Sequence, residues 1–382
     1  MDNVEAIVVG AGPAGLACAA SMRRVGVRTT LLEKADSVAA VWRRHYDRLH
    51  LHTDKGHSGL PGRPMPASFP RYPSRAQVVD YLEDYAAHFD LRPVFDCAVQ
   101  AIRREGSTWR VAANQKSWVA PVVVLATGWA DFPNVPTWPG SDLYRGRVVH
   151  SSRYRNPGAF AGGRVLVVGF GNSGAEIALD LAEAGVEVSL SVRGPVRILP
   201  RELLGLPILT WAIAQAFLPA RVADFINAPA IRLAAGPTKN LGFEIAAKGP
   251  LRMIEEDRRV PLLDAGTLAR IRDGTIKVRP GIDRFTNDGV VFDDARAEPF
   301  DAVILATGFR PDLRALLPAV QGVLDEQGMP LATGRATPEP GLFFCGQTVS
   351  ATGQLRAIGI EAERIARLAS QIKRRFAPPR PR

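Results

Sequence analysis

Two stretches of this chain follow one plan, and that duplication constrains the fold more than any other feature. Residues 6–34 read "AIVVGAGPAGLACAASMRRVGVRTTLLEK" and residues 164–193 read "RVLVVGFGNSGAEIALDLAEAGVEVSLSVR". In each, an apolar run ends at a glycine, a GxGxxG turn follows, and a helical pattern leads into a second apolar run. The first turn is Gly10-Ala11-Gly12-Pro13-Ala14-Gly15, and the second is Gly169-Phe170-Gly171-Asn172-Ser173-Gly174. The first glycine of such a turn permits a tight bend, the second lets backbone approach a pyrophosphate, and the third lets the helix pack close to the strand. The helix N-terminus then presents its positive dipole end to the phosphates.

The copies differ at one informative place. Glu33 lies 23 residues beyond Gly10, whereas the position 23 beyond Gly169 is Val192, followed by Arg193. A carboxylate at the strand end accepts hydrogen bonds from ribose hydroxyls and repels a 2′-phosphate; its absence beside an arginine accommodates one. The first copy therefore reads as an FAD site and the second as an NADPH site, so that one dinucleotide can pass a hydride to the other.

Two further strands, "PVVVLATG" at 121–128 and "DAVILATG" at 301–308, frame the second copy. Their shared ending, with Thr307 and Gly308 counted on the cofactor side, marks matched crossings near Gly128 and Gly308. The expected architecture is α/β: two Rossmann-like dinucleotide-binding domains, the second inserted in the first. The expected boundaries are 1–150 and 300–382 for the FAD-binding domain and 155–300 for the NADPH-binding domain. Residues 373–382, basic and proline-rich, read as a disordered tail. Within the first domain, Ser74 and Gln77 have capping-box spacing, and Val78, Tyr81, Leu82 and Tyr85 mark one helical face. The segment 342–372 reads as strand, glycine-rich turn and long helix.

Composition excludes several alternatives. With 382 residues, 46% hydrophobic and 23% charged, the chain is an ordinary enzyme-sized globular sequence. Cys18, Cys97 and Cys345 are scattered, which argues against a disulfide framework, a zinc site or a dithiol redox centre and fits a reducing, cytoplasmic compartment. No basic and apolar leader opens the chain. The net charge of +10 suits anionic cofactors and substrates, and without a nucleic-acid motif it does not indicate nucleic-acid binding. The apolar run 203–219 is short for a membrane span and contains Pro207 and Pro219, so it reads as a helix buried in the protein or lining its cavity, which disfavours membrane contact. The spacing of His45, His50, His52 and His57 suits no standard metal site. The sequence shows no Ser-His-Asp order and no isolated acid pair, so the hard chemistry falls to the cofactor. Arg197, Arg201 and Arg252 are candidates for a substrate carboxylate. The oligomeric state is left open.

Between the two copies lies "YRGRVVHSSRY", residues 144–154. Gly146, His150 and Tyr154 resemble the identifying motif of flavin-containing monooxygenases, FxGxxxHxxx[YF], with Tyr144 in place of Phe. The segments at 41–52, 191–205 and 260–278 are similar to the YUCCA-type branch, the indole-3-pyruvate monooxygenases. The resemblance implies that Gly10, Gly12, Gly15 and Glu33 bind FAD with Trp42 and Arg43 beside it, and that Gly169, Gly171, Gly174 and Arg193 bind NADPH. It also implies that reduced flavin takes up oxygen as a C4a-hydroperoxide, with no side chain assigned as catalytic. That species would oxygenate a small organic substrate, such as an aryl-pyruvate that loses carbon dioxide. N- or S-oxygenation, a Baeyer–Villiger reaction and an NADPH-dependent flavin reductase remain alternatives. His150 and Tyr154 could shape the NADPH site or fix the linker. Where disulfide reductases of similar plan carry Gly-Asp, this chain has Gly346-Gln347.

Overall fold

A computed structural model describes residues 2–114, 116–237 and 241–376. The chain divides into two compact units. The first comprises Met1–Arg43, Thr53–Phe132 and Arg310–Arg382; the second comprises Arg44–His52 and Pro133–Phe309.

The first unit is built on a parallel sheet ordered Leu342–Phe344, Val123–Leu125, Ala6–Val9, Thr29–Leu32. All residues of the first three strands are buried, as expected of parallel strands covered on both faces. On one side the sheet packs with an antiparallel meander of Val99–Glu105, Thr108–Ala113 and Lys116–Ala120, sharing a core that includes Ile102, Trp109, Val111 and Phe344. Helix Pro13–Arg24 lies against the long helix Gln354–Phe376. Helix Arg75–His88 opens on the expected capping box: Gln77 N donates to Ser74 Oγ (3.3 Å) and Ser74 N to Gln77 Oε1 (2.9 Å). Its inner face includes Val78, Tyr81, Leu82 and Tyr85.

The second unit repeats the scheme. Its parallel sheet runs Ile276–Arg279, Glu187–Ser191, Arg164–Val168, Ala302–Leu305, Arg147–His150, with a meander of Ile282–Phe285, Gly289–Phe292 and Ala297–Pro299 beside it.

Three expected assignments change, one of them Arg44–His52, which falls in the second unit. The strand Ala302–Leu305 and the segment 133–150 fall in the second unit, because Ala302–Leu305 pairs with Arg164–Val168 on one edge and Arg147–His150 on the other. A wholly apolar strand must be covered on both faces, and its sequence does not say which sheet receives it. The basic tail also begins later than expected. Lys373, Arg374 and Arg375 complete the last turn of helix Gln354–Phe376, where cations meet the negative end of the helix dipole. Lys373 Nζ donates to the Gly26 carbonyl (2.6 Å) and pairs with Glu5 (2.9 Å). Residues 377–382 lie outside the described residues.

Candidate dinucleotide sites

In each unit the glycine loop follows the strand at which chain order reverses across the sheet. Ala6–Val9 is flanked by Thr29–Leu32 and Val123–Leu125, and Arg164–Val168 by Glu187–Ser191 and Ala302–Leu305. Such switch points open a crevice at the carboxyl ends of parallel strands.

The two loops are wired alike. Gly10 N donates to the Leu32 carbonyl (2.7 Å), as Gly169 N does to that of Ser191 (3.0 Å). Ala126 N donates to Val9 O and Ala306 N to Val168 O, both at 2.9 Å. Gly10 and Gly169 have φ of +105° and +103°, and a Cβ there would sit 2.6 Å from Ala126 O and 2.7 Å from Ala306 O. On Gly15 and Gly174 a Cβ would strike the carbonyls of Gly10 and Gly169. The middle glycines differ in kind: nothing lies within 4 Å of a Cβ on Gly12 or Gly171. The protein itself does not require glycine there, whereas a phosphate resting on the backbone does.

Both helices lack a side-chain cap. Gly12 precedes Pro13–Arg24 and Gly171 precedes Asn172–Glu183, with no acidic residue in either first turn. The leading N–H groups thus stay available to an anion. Pro13 occupies the start of its helix, where a missing N–H costs nothing, and Ala14 is buried.

At the strand ends the asymmetry is physical. Glu33 Oε2 accepts from Ala11 N (2.6 Å) and Oε1 from Ala35 N (3.0 Å), so its carboxylate is fixed with lone pairs to spare for hydroxyls. Val192 is buried, while Arg193 is exposed and has no ion-pair or hydrogen-bond partner among the described residues. In the first unit Gln347 is buried; its Nε2 donates to Thr127 Oγ1 (3.0 Å) and its Oε1 has no partner among the described residues. A buried acceptor left unpaired costs about 1–3 kcal/mol, so this oxygen suits a ligand hydroxyl or N–H. Uncapped helix, open Gly12, anchored carboxylate and orphaned Gln347 together fit FAD. In the second unit, uncapped helix, open Gly171 and unpaired Arg193 fit NADPH.

Other expected residues turn inward. Asn172 is held at both ends of its amide: Nδ2 donates to Pro261 O (3.3 Å) and Oδ1 accepts from Leu263 N (2.8 Å). The Ser173 side chain lies beside the Tyr46 hydroxyl. Trp42 is part-buried on the short helix Ala40–Arg44, and the Arg43 guanidinium pairs with Glu83 and the Val38 carbonyl. Thr307 and Gly308 are clasped by Asn134: Thr307 Oγ1 donates to Asn134 O (2.5 Å) and Asn134 N donates to Gly308 O (2.9 Å).

The motif at 144–154 is scaffolding of the second unit. His150 uses both ring nitrogens, Nε2 to Gly308 O (3.0 Å) and Nδ1 accepting from Ser152 N (3.2 Å), and burial lowers its pKa. Tyr154 is buried and donates to Asp180 (2.8 Å) on the helix behind the second loop. Tyr144 donates to Phe300 O (2.8 Å). Of the arginines considered for a substrate carboxylate, Arg197 donates to the carbonyls of Lys248 and Ala246, Arg252 pairs with Glu256, and Arg201 donates to Leu51 O (3.0 Å).

Sequence reasoning missed two buried clusters. Under the second loop, Tyr46 donates to Glu176 Oε2 (2.7 Å), and burial raises both pKa values. His52 stands 3.8 Å from the same carboxylate, its pKa lowered to about 4 by burial and by the Arg201 charge. Tyr46 and Glu176 are 130 residues apart in the chain, so no local pattern could pair them. In the first unit folding joins Cys18 to Cys345; the Cys18 thiol beside it, together with burial, raises the Cys345 pKa, and full burial of both leaves neither thiol accessible for disulfide exchange. Among the described residues, no group of three or more His, Cys, Asp or Glu side chains is placed to hold a metal ion.

Fold and loops define a two-dinucleotide flavoprotein oxidoreductase, and residues 7–199 match the family model described as pyridine nucleotide-disulphide oxidoreductase. The chain is 40% identical over 337 residues to indole-3-pyruvate monooxygenase YUCCA6 of Arabidopsis thaliana, covering 85% of this chain and 80% of that protein. It is 40% identical over 331 residues to indole-3-pyruvate monooxygenase YUCCA1 of Oryza sativa subsp. japonica, with 85% and 81% covered. A flavin-containing monooxygenase from Stenotrophomonas maltophilia superposes with a TM-score of 0.74 at 26% identity, over 99% of this chain and all of that one. The chain belongs to the flavin-containing monooxygenases, in the YUCCA-type branch. It is an FAD- and NADPH-dependent monooxygenase.

Proposed function

We propose that the first unit holds FAD and the second NADPH, and that the oxygenated substrate is an aryl-pyruvate such as indole-3-pyruvate, decarboxylated in the process. When bound, FAD would supply the redox chemistry by which a hydride from NADPH and molecular oxygen serve to oxygenate the substrate. The chain supplies the holding groups. The free N–H groups behind Gly12 and Gly171 receive the two pyrophosphates, Glu33 takes the ribose hydroxyls of FAD, and Gln347 Oε1 accepts a hydrogen bond from the flavin side. Arg193 pairs with the 2′-phosphate that Glu33 would repel. Asn172, Ser173, Thr307, Gly308, Trp42 and Arg43 act through backbone or by holding the loops in place. Three free buried cysteines support a reducing, cytoplasmic compartment.

The observation that carries the substrate assignment is the 40% identity to indole-3-pyruvate monooxygenases across 85% of the chain. The test is NADPH oxidation with indole-3-pyruvate, phenylpyruvate, amines and thioethers, with products read by mass spectrometry. A decarboxylated acid from a keto acid is expected. Oxygenation confined to amines or thioethers would assign the enzyme to N- or S-oxygenation instead.

A further inference from the structure

The segment 203–236 of the second unit has an inverted surface. The sequence reading makes 203–219 a buried or cavity-lining helix, yet the structure gives a tight hairpin (Glu202–Leu203 with Leu206–Pro207), a short helix Ile208–Ala214, and then helix Ala220–Ala235. Leu204, at the hairpin tip, is 79% exposed and Phe217 82%. On the helix, Phe225 and Leu233 are 81% and 85% exposed, with Val222 and Ile226 also on the surface. Asp224 and Asn227 are satisfied within the protein. Asp224 is buried, accepting from the backbone N–H of Leu251 and Arg252, and Asn227 forms a reciprocal amide pair with Gln215. Ala220, Ala223 and Ile231 fill the same inner side.

A helix apolar outward and satisfied inward is the reverse of an ordinary surface helix. Scattered exposed apolar residues need no explanation, but a run of large ones on consecutive elements marks a contact surface. Its charge identifies the occupant. From 202 to 236 the charged residues are Glu202, Arg221, Asp224 and Arg232; Glu202 and the two arginines are exposed and the aspartate is buried, so the exposed charge of the face is net positive. Arg272, also exposed, adds a third cation at the end of the helix, donating to the carbonyls of Ala235 and Pro237. A second copy of this face would bring like charges together. A surface that is negative outside and apolar beneath complements it.

We propose that hairpin 202–207 and helix Ala220–Ala235 dock the enzyme on anionic lipid bilayers, with Leu204, Phe217, Phe225 and Leu233 entering the headgroup–acyl boundary and Arg221, Arg232 and Arg272 meeting the lipid phosphates. Among the described residues no helix is long and apolar enough to cross a membrane, so the attachment is interfacial. It revises the sequence reading, in which membrane contact is disfavoured.

The test is flotation of the FAD-loaded enzyme with vesicles of phosphatidylglycerol and phosphatidylcholine against vesicles of phosphatidylcholine alone. Binding to the anionic vesicles, weakened by raised salt, is expected. Phe225→Glu with Leu233→Glu should lower the partition coefficient at least about tenfold, while flavin absorbance and its reduction by NADPH persist. Should that variant fail to hold flavin, Arg221→Gln with Arg232→Gln decides, with a drop of about tenfold expected. No binding, or equal binding to both vesicle types, overturns the proposal. So does a wild-type dimer in sedimentation that Phe225→Glu converts to monomer without any vesicle binding.

Discussion

Arg193→Ala isolates the difference between the two nucleotide loops. Arg193 stands two residues past the strand Glu187–Ser191, exposed and unpaired among the described residues, so its removal takes no contact from the protein itself. A hydrogen bond between charged groups contributes about 1.5–3 kcal/mol. Solvent screening at an exposed position reduces this to roughly 1–2 kcal/mol. At about 1.4 kcal/mol per decade, KM for NADPH should rise roughly 5- to 30-fold. NADH lacks the 2′-phosphate, so its KM should stay where it is, and the melting temperature should not move. The assay is steady-state oxidation of both nicotinamides by wild type and variant, with inhibition by 2′-phospho-AMP as a chemistry-free check. An equal rise for NADPH and NADH, or none for either, would refute the pairing of Arg193 with the phosphate.

Two further outcomes follow from the same geometry. Gly171→Ala places a methyl group where the protein has no atom within 4 Å, at an ordinary φ of −98°, so stability should change by only a few tenths of a kcal/mol while flavin reduction by NADPH weakens at least about tenfold. Gly174→Ala is the control: its methyl group strikes the Gly169 carbonyl, and thermal melting should show the loss directly. His52 has a folded pKa of about 4 against an ordinary value of 6.5. Depression of a histidine pKa means the unfolded chain binds the proton more readily, so this contribution to stability is complete above pH 6.5 and is lost as pH falls towards 4. With 21% of the side-chain surface still exposed, the loss amounts to about 2–3 kcal/mol, and His52→Gln should flatten the melting profile between those pH values. A steep acid decline that persists in the variant would move the effect to another group.

Much of the site was legible because it is local. A GxGxxG turn between an apolar strand and a helix is a contiguous pattern, and the three glycines answer steric demands within a dozen residues: Gly15 sits against Gly10 and Gly174 against Gly169. Glu33 and Arg193 were readable for the same reason, since a fixed strand–helix–strand length brings their positions back beside the loop. The capping box at Ser74 and Gln77 is likewise confined to one turn. The motif at 144–154 was legible as a signature but not as a mechanism. Only folding shows that His150 spends both nitrogens on Gly308 and Ser152, and that Tyr154 braces the helix through Asp180.

The chain by itself thus determined the number of glycine loops and the strand and helix that carry each one, because those depend on spacing along the backbone. Tertiary structure decided which sheet receives Ala302–Leu305, which amides and guanidinium groups are already occupied, and that Asp224 points inward while Phe225 points outward. Such outcomes depend on partners far away in sequence. Burial of a polar group is favourable only when a distant donor or acceptor arrives to meet it, and periodicity along one segment contains no record of that arrival.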